Sequence, residues 1–121
     1  MGKKLDVVVV DDKVMITDLF ESYIRLSGAH VNIYTFNDPT KALEFINSNQ
    51  KIDIIITDYK MPGLNGIELL KACPMEATRI LISGYISDVA EERLNELNAV
   101  FFEKPVPMKQ ISKIIAERSV A

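Results

Sequence analysis

The chain has 121 residues, with 17 acidic and 14 basic side chains and a net charge of −3. This length fits one domain that can bury a core of its own without disulfides or a structural metal. The acidic balance argues against general binding to nucleic acid or to a membrane surface, which would need clustered Lys and Arg. The single cysteine, Cys73, rules out an intrachain disulfide and favours a reducing compartment. Neither a membrane span nor a signal peptide is recognisable, so the sequence predicts a soluble, cytoplasmic protein.

Five short runs rich in β-branched or aromatic residues predict five strands. They lie at Val7–Val10, Val31–Phe36, Ile54–Ile56, Ile80–Ile82 and Val100–Phe102. Four of the runs are continuously apolar, as expected of strands covered on both faces of a sheet. The second run mixes polar and apolar residues, which predicts a less buried strand near the sheet edge. His30, which precedes it, is predicted to lie at the surface.

Segments with helical periodicity separate the strands. The first runs from Val14 to Leu26, and its apolar residues predict one broad stripe facing the core; the stripe comprises Ile16, Leu19, Phe20, Tyr23 and Leu26. The second helix is predicted to start near Pro39 with Asp38 as its N-cap, and to turn Leu43 and Ile46 inward.

Three further helices complete the pattern. One runs from about Gly66 to Ala72 and must end before Pro74. Another is capped by Ser87 or Asp88 and continues to about Leu97. The last opens at Pro107 or Met108, and its predicted packing face consists of Ile111, Ile114 and Ile115.

Alternating strands and helices predict βαβ units, a parallel sheet and right-handed crossovers. No internal repeat or interior linker interrupts the pattern. The predicted fold is therefore α/β, a single-domain, doubly wound (βα)5 fold. Its five-stranded parallel sheet is expected to have the flavodoxin-like order 2-1-3-4-5, which the alternation of strands and helices does not by itself determine. The domain covers residues 1–121, with a core from about 5 to 118.

Polar residues follow four of the five strands. They are Asp11-Asp12, Thr57-Asp58, Ser83-Gly84 and Glu103-Lys104-Pro105. Each group alone is a common turn or cap sequence, and Asp11-Asp12 by itself is best explained as a helix cap. In open α/β sheets, however, sites form outside the carboxyl ends of the strands. The joint occurrence of these groups at one edge therefore predicts a site.

The residue types at this edge indicate phosphoryl chemistry. Three converging carboxylates repel one another unless one is protonated or a cation binds. Oxygen ligands without His or Cys favour a hard divalent cation, with Mg²⁺ preferred. Lys104 and the Ser83 hydroxyl can meet phosphoryl oxygens, and an Asp carboxylate can act as a nucleophile that forms an aspartyl phosphate.

The chain resembles the bacterial two-component response-regulator receiver domain. The resemblance rests on Asp11-Asp12, on Asp58 with Met61-Pro62 and Gly66, on Ser83-Gly84 and on Lys104-Pro105. It extends from about Asp6 to Glu117, nearly the whole chain.

The resemblance implies a role for each residue of the site. Asp58 would be the phosphoacceptor. Asp12 would bind Mg²⁺ directly and Asp11 mainly through water, with the Lys60 backbone carbonyl as a further ligand. Lys104 would pair with the phosphoryl group, and its peptide bond to Pro105 would be cis.

The resemblance also implies a switch. Ser83 would be the switch hydroxyl and Phe101 the switch aromatic, with plain core packing as the alternative for Phe101. Lys60 and Tyr85 match positions that influence how long the phosphoryl group survives. Phosphorylation would alter the surface of the fourth helix, fifth strand and fifth helix.

The implied partners are a sensor histidine kinase or a histidine phosphotransfer protein, which would dock near the first helix. The domain would catalyse its own phosphorylation and dephosphorylation without being an enzyme for another substrate. An output domain or partner protein would receive the signal, and a homodimer is an option; direct binding to nucleic acid or membrane is not expected. A stand-alone receiver and part of a longer regulator both stay open.

Two other classes of protein compete with this interpretation. A haloacid-dehalogenase-like phosphohydrolase would have a second Asp two residues after the nucleophile, where this chain has Lys60, and would carry a cap domain. An interaction module that keeps the fold alone would show no Mg²⁺ affinity. Nucleotide binding is disfavoured because no P-loop or glycine-rich fingerprint follows the first strand.

Overall fold

The computed structural model describes residues 4–48, 51–84 and 91–119. In these ranges five strands alternate with five helices. In chain order they are β1 (Leu5–Val10), α1 (Val14–Leu26), β2 (Val31–Phe36), α2 (Pro39–Asn47), β3 (Ile54–Asp58), α3 (Gly66–Ala72), β4 (Thr78–Ser83), α4 (Glu91–Leu97), β5 (Ala99–Glu103) and α5 (Met108–Ser119).

All five strands form one parallel sheet of order β2-β1-β3-β4-β5, which confirms the predicted doubly wound, flavodoxin-like arrangement. The register aligns the carboxyl ends of the inner strands. Val10 lies opposite Thr57, Asp58 opposite Ile82, and Ser83 opposite Glu103. The polar residues that follow these strands therefore emerge at the same edge.

The core has two layers because successive strand side chains point to opposite faces of the sheet. One layer packs β1, β3 and β4 against α1 and α5; the helices contribute Phe20, Ile24, Ile111 and Ile115. The other layer covers the opposite face with α2, α3 and α4. β2 is half-buried along its whole length and lies at the edge, as predicted. The prediction that β5 is covered on both faces was wrong, because β5 lies at the other edge and Val100 is 41% exposed.

Local signals position the helices much as the sequence predicted. The Asp38 carboxylate accepts a hydrogen bond of 2.9 Å from the Thr40 N–H and caps α2. Asn65 caps α3 in the same way, accepting from the Glu68 N–H. The predicted caps of α4, Ser87 and Asp88, lie outside the described residues. None of the helices in the described part of the chain has the length and apolar character needed to cross a bilayer.

The predicted inner face of α1 was partly wrong. The structure buries Thr17, Phe20 and Ile24, whereas Leu19 is 49% exposed and Leu26 is 88% exposed. Tyr23 is also exposed, although the sequence predicted it inside. The helix carries apolar residues on two sides, and periodicity alone could not tell which side meets the sheet. The outer side leaves an apolar surface of α1 uncovered.

Candidate functional site

The carboxyl ends of the strands bring the predicted site residues to one edge of the sheet. Backbone hydrogen bonds continue the sheet by one residue beyond the strands. The Asp11 N–H donates to the Phe36 carbonyl (3.1 Å), and the Lys104 N–H donates to the Ser83 carbonyl (2.8 Å). Asp58 is itself the last residue of β3. The backbone thus fixes where each of these side chains begins.

Three carboxylates converge here. Asp11, Asp12 and Asp58 each offer an oxygen, and these oxygens all lie within 4.8 Å of one another. Asp11 and Asp58 are only 4% and 5% exposed, and Asp12 is half-buried. Three ionised groups this close and this poorly hydrated repel strongly. The cluster is therefore arranged to receive a positive charge.

The electrostatics of Asp11 show the unfavourable balance directly. Burial raises the pKa of Asp11, and the negative charges of Asp58 and Asp12 raise it further. A hydrogen bond of 2.9 Å from the Lys13 N–H and the positive charge of Lys104 oppose this rise. The net upward shift of the pKa means that the surroundings of Asp11 disfavour its charged form, as expected of a carboxyl group at a cation site.

Asp12 supplies a second sign of a cation site. Its Oδ1 atom is buried without a hydrogen-bond donor, and the ammonium group of Lys13 lies 4.0 Å away. A buried carboxylate oxygen without a hydrogen bond is costly. A hard divalent cation ligated by oxygen atoms would satisfy it, so the donor set fits Mg²⁺.

Lys104 brings a positive charge to the opposite side of Asp58. Its Nζ lies 3.3 Å from Asp58 Oδ1, which also accepts a hydrogen bond of 3.0 Å from the Tyr59 N–H. The peptide bond between Lys104 and Pro105 is cis, as the resemblance implied. Lys104 is therefore placed to neutralise negative charge that arrives at Asp58.

The loop after β3 folds closely over the site. The Gly66 N–H donates to the Tyr59 carbonyl at 2.8 Å, which closes the loop onto the strand. A Cβ at position 66 would collide with the Asp58 carbonyl and the Leu81 side chain, so only glycine fits there. The Lys60 side chain is exposed on this loop.

The two predicted switch residues lie on neighbouring strands. Ser83 is 2% exposed at the end of β4. Phe101 is half-buried on β5 and packs on the layer that contains Leu94 and Leu97 of α4. Phe102 packs on the opposite layer, with α1 and α5, as core. Tyr85 lies outside the described residues.

Asn37, which was not predicted from the sequence, lies beside the carboxylates. Its side-chain amide donates to the Asp11 carbonyl and to the Thr17 hydroxyl, each at 2.9 Å. The position of Asn37 in the sequence could have indicated its place, because Asn37 directly follows β2 and β2 pairs with β1. The predicted site comprised only residues that follow strands one, three, four and five.

Comparison with known proteins gives a consistent result. Residues 7–116 match the family model described as the response regulator receiver domain. ARR13 of Arabidopsis thaliana, by name a two-component response regulator, is 33% identical over 115 residues, which cover 92% of this chain and 20% of ARR13. The Arabidopsis two-component response regulator ARR7 is 29% identical, covering 92% of this chain and 61% of ARR7. The chain thus spans about a fifth to three-fifths of the length of these relatives.

Solved structures share the fold. A response regulator receiver domain protein from Clostridium thermocellum superimposes with a TM-score of 0.80 at 26% identity, covering 96% of this chain and 94% of that one. The receiver domain of Ssk1 from Saccharomyces cerevisiae, solved in complex with the histidine phosphotransfer protein Ypd1, superimposes with a TM-score of 0.77 at 18% identity. The two chains are covered to 99% and 92%.

Proposed function

This chain belongs to the response regulator receiver domain family, the phosphoacceptor module of two-component signalling, and on that premise we propose that Asp58 takes up the phosphoryl group. One observation carries the assignment. Asp58 is the carboxylate at the end of a central strand that has two further carboxylates within 4.8 Å and the Lys104 ammonium at 3.3 Å. Positive charge on one side and a cation site on the other are what phosphoryl transfer requires.

In the proposed reaction an Asp58 carboxylate oxygen attacks the phosphorus atom of a phosphohistidine. The new O–P bond forms as the P–N bond breaks, and the electron pair stays on the histidine nitrogen, which takes up a proton. Lys104 keeps its positive charge beside Asp58 and pairs with a phosphoryl oxygen. The Ser83 hydroxyl donates to another oxygen. Attack of water on the acyl phosphate resets the domain, so the domain catalyses both its phosphorylation and its dephosphorylation.

The same cluster would hold Mg²⁺. Asp12 and Asp58 would provide carboxylate ligands, Asp11 would act mainly through water, and the Lys60 carbonyl would complete the protein ligands. Bound there, Mg²⁺ would offset the repulsion among the carboxylates and withdraw charge from phosphoryl oxygens. The raised pKa of Asp11, caused first by burial, and the unsatisfied oxygen of Asp12 support this assignment.

The switch would connect the site to α4, β5 and α5. When Ser83 approaches the phosphoryl group, the end of β4 would move inward and Phe101 would rotate into the space it leaves. Phe101 supports this role by packing on the layer that contains Leu94 and Leu97 of α4. The changed surface would act on an output domain, a partner protein or a second copy of the chain.

The full receiver domain would comprise residues 1–121, with a core of about 5–118. A cytoplasmic location fits its single thiol.

The test is intact-mass measurement after incubation with acetyl phosphate and Mg²⁺. We expect the wild-type chain to gain the mass of one phosphoryl group, which hydroxylamine removes. Asp58→Asn and a sample with chelator should gain nothing. A wild-type chain that gains nothing at any donor concentration would overturn the proposal and favour an interaction module that keeps only the fold. Continuous turnover of small phosphate esters would instead indicate a phosphohydrolase.

The phosphohistidine donor would be a sensor histidine kinase or a histidine phosphotransfer protein that docks over α1. Three apolar side chains on the first turns of this helix are exposed, namely Val14 (57%), Met15 (84%) and Leu19 (49%). They lie two to seven residues after Asp12, so a protein bound to them would also cover the carboxylates. Apolar surface beside a reaction site is typical of a docking surface.

Substitution of Met15 tests the docking surface. Met15→Lys should slow phosphoryl transfer from a phosphohistidine protein but leave labelling by acetyl phosphate unchanged, because the small donor needs no docking. Met75→Lys is the matched control, since Met75 is equally exposed (84%) but lies between α3 and β4, away from the site. Equal transfer rates for the two variants would contradict docking on α1.

A further inference from the structure

Asn37 links the two ends of the segment that carries the metal-binding carboxylates. It directly follows β2, and its single amide nitrogen donates both of its hydrogens, to the Asp11 carbonyl and to the Thr17 hydroxyl, each at 2.9 Å. Asp11 and Thr17 are 4% and 2% exposed, whereas Asn37 itself is on the surface. The exposed side chain of Asn37 thus donates to two buried acceptors. Its removal would leave both acceptors exposed to water or without this hydrogen bond.

Hydrogen bonds between its own residues connect the short segment from Asp11 to Thr17. The Lys13 N–H donates to Asp11 Oδ1 at 2.9 Å, and the Thr17 N–H donates to the Lys13 carbonyl at 3.3 Å. The Thr17 hydroxyl also donates to the Val14 carbonyl at 3.1 Å. Asn37 joins the beginning of this segment to the first turn of α1, which fixes the position of Asp12 between them.

We propose that Asn37 is a positioning residue for metal binding, holding the Asp11–Asp12 loop against the repulsion of the three carboxylates. The inference rests on the proposed function of the cluster as a Mg²⁺ site. Without a cation, repulsion pushes Asp11 and Asp12 away from Asp58. The Asn37 bridge opposes this displacement from outside the cluster, so the ligands stay within 4.8 Å of one another before the ion arrives. Less reorganisation on binding means tighter binding.

The chemistry of the bridge requires an amide. One nitrogen must supply two donors in diverging directions, which a hydroxyl cannot do and a carboxylate cannot do at all. Asn37→Asp keeps the shape of the side chain but loses both donors. Its added negative charge would by itself attract Mg²⁺, so weaker binding by this variant would be caused by the lost bridge.

The first measurement is Mg²⁺ affinity by calorimetry on the intact chain. We expect Asn37→Ala to bind Mg²⁺ about tenfold more weakly than the wild type, the loss usual for removing a group that orients a metal ligand. Asn32→Ala is the matched control. Asn32 lies on β2, the strand that Asn37 follows, and donates to the Asp6 carboxylate at 2.9 Å, at the amino ends of the strands and away from the carboxylate cluster. It should bind Mg²⁺ like the wild type.

The second measurement needs no metal. In the metal-free protein, hydrogen exchange at the Lys13 amide should be faster in Asn37→Ala than in Asn32→Ala, since the Lys13 N–H donates within the positioned segment. In phosphorylation by acetyl phosphate, the Mg²⁺ concentration needed for half the maximal rate should rise, with the maximal rate preserved. Thr17→Val removes one acceptor of the bridge and should act in the same direction, which keeps the test available if Asn37→Ala does not fold.

The outcomes separate this inference from the proposed function. A wild-type chain that neither binds Mg²⁺ nor takes up a phosphoryl group contradicts the function. A wild-type chain that does both, with unchanged Mg²⁺ affinity and Lys13 exchange in Asn37→Ala, contradicts only the positioning role. Equal weakening by Asn32→Ala would also contradict it, because the effect would then be general to the sheet.

Discussion

Single residues of the site are placed where they oppose folding. Asp11 and Asp58 are nearly fully buried, and with Asp12 they form a cluster of negative charge. The ammonium groups of Lys104, 3.3 Å from Asp58, and Lys13, 4.0 Å from Asp12, balance it only in part. A structure selected for stability alone would not gather these charges. The unfavourable cluster is consistent with a site whose cost is offset when a cation binds.

Neutralising Asp11 should stabilise the metal-free protein. Asp11→Asn keeps the acceptor for the Lys13 N–H and removes one charge, so the free energy of unfolding should rise by about 1 kcal/mol at neutral pH. Because the pKa of Asp11 is raised in the folded state, chiefly by burial, the wild type loses stability as pH rises through that pKa. The advantage of the variant should therefore vanish on acidification towards the ordinary Asp pKa.

Thermal melts with and without Mg²⁺ check this. At about 100 times its dissociation constant, Mg²⁺ should add about 2.7 kcal/mol to the wild type and clearly less to Asp11→Asn. A variant that is less stable than the wild type in chelator would show that the carboxylates do not repel as argued.

The lone thiol should be unreactive in the folded protein. Cys73 is buried, and burial raises the pKa of its thiol to about 11, although the positive charge of Arg79 opposes the rise. Since only the thiolate attacks a disulfide reagent, labelling of the native chain by such a reagent should be many times slower than labelling in denaturant. Fast labelling of the native chain would mean that Cys73 is exposed in solution.

At the scale of elements, Arg79 holds the ends of two helices. This buried side chain of β4 donates to the carbonyls of Leu70, Cys73 and Pro74 at 2.9–3.1 Å, and to the Leu97 carbonyl of α4 at 3.4 Å. The last carbonyls of a helix lack partners within the helix and carry partial negative charge. A guanidinium group, with five donors in a rigid fork, can satisfy several of them at once.

Arg79→Leu should destabilise the chain by about 3 kcal/mol, because several buried carbonyls lose their donor together. Arg25→Leu is the control, since Arg25 forms an exposed pair with Glu21 and should cost less than about 0.5 kcal/mol. Urea unfolding of both variants measures the difference. Equal midpoints would show that Arg79 does not hold the helices.

At the scale of the whole molecule, the charges at the amino ends of the strands (the amino edge) are arranged differently from those at the carboxyl ends (the carboxyl edge). At the amino edge the charges are balanced. The carboxylate of buried Asp53 accepts a hydrogen bond of 2.9 Å from the Asp6 N–H. It also lies 3.3 Å from the Lys51 ammonium and 3.6 Å from the Arg118 guanidinium. Arg118 also donates to Thr78 and to the Asp53 carbonyl, which fastens the end of α5 to the sheet. The carboxyl edge carries the unbalanced cluster.

Removing a carboxylate should therefore have opposite effects at the two edges. Asp53→Ala should cost about 2 kcal/mol of stability, because it removes an acceptor for charged and backbone donors, and should leave Mg²⁺ affinity unchanged. Asp58→Ala should abolish phosphorylation without a comparable loss of stability. Chemical unfolding and Mg²⁺ titration measure both, with exposed Asp18→Ala as the neutral control. Similar stability losses for Asp53→Ala and Asp58→Ala would contradict the difference in charge balance between the amino edge and the carboxyl edge.

Most elements and most of the site were predictable because both depend on local pattern and one topological rule. Continuous apolar runs predicted the inner strands β1, β3 and β4 and also the edge strand β5. Helical periodicity with caps such as Asp38 predicted the helices. Since parallel strands end at a common edge, the sequence predicts that Asp11, Asp12 and Asp58 meet there, as they do in the structure.

The sequence by itself thus determined the α/β class, the strand order in combination with the family resemblance, and the residues gathered at the carboxyl edge. Only the tertiary structure decided which side of α1 meets the sheet, since Leu19 and Phe20 are equally apolar and only packing against β1 and β3 distinguishes them. It also decided the contacts of Asn37, Arg79 and Arg118, whose partners lie 5 to 65 residues away along the chain. A polar side chain can reach any nearby acceptor, and which acceptors are near depends on the folded chain.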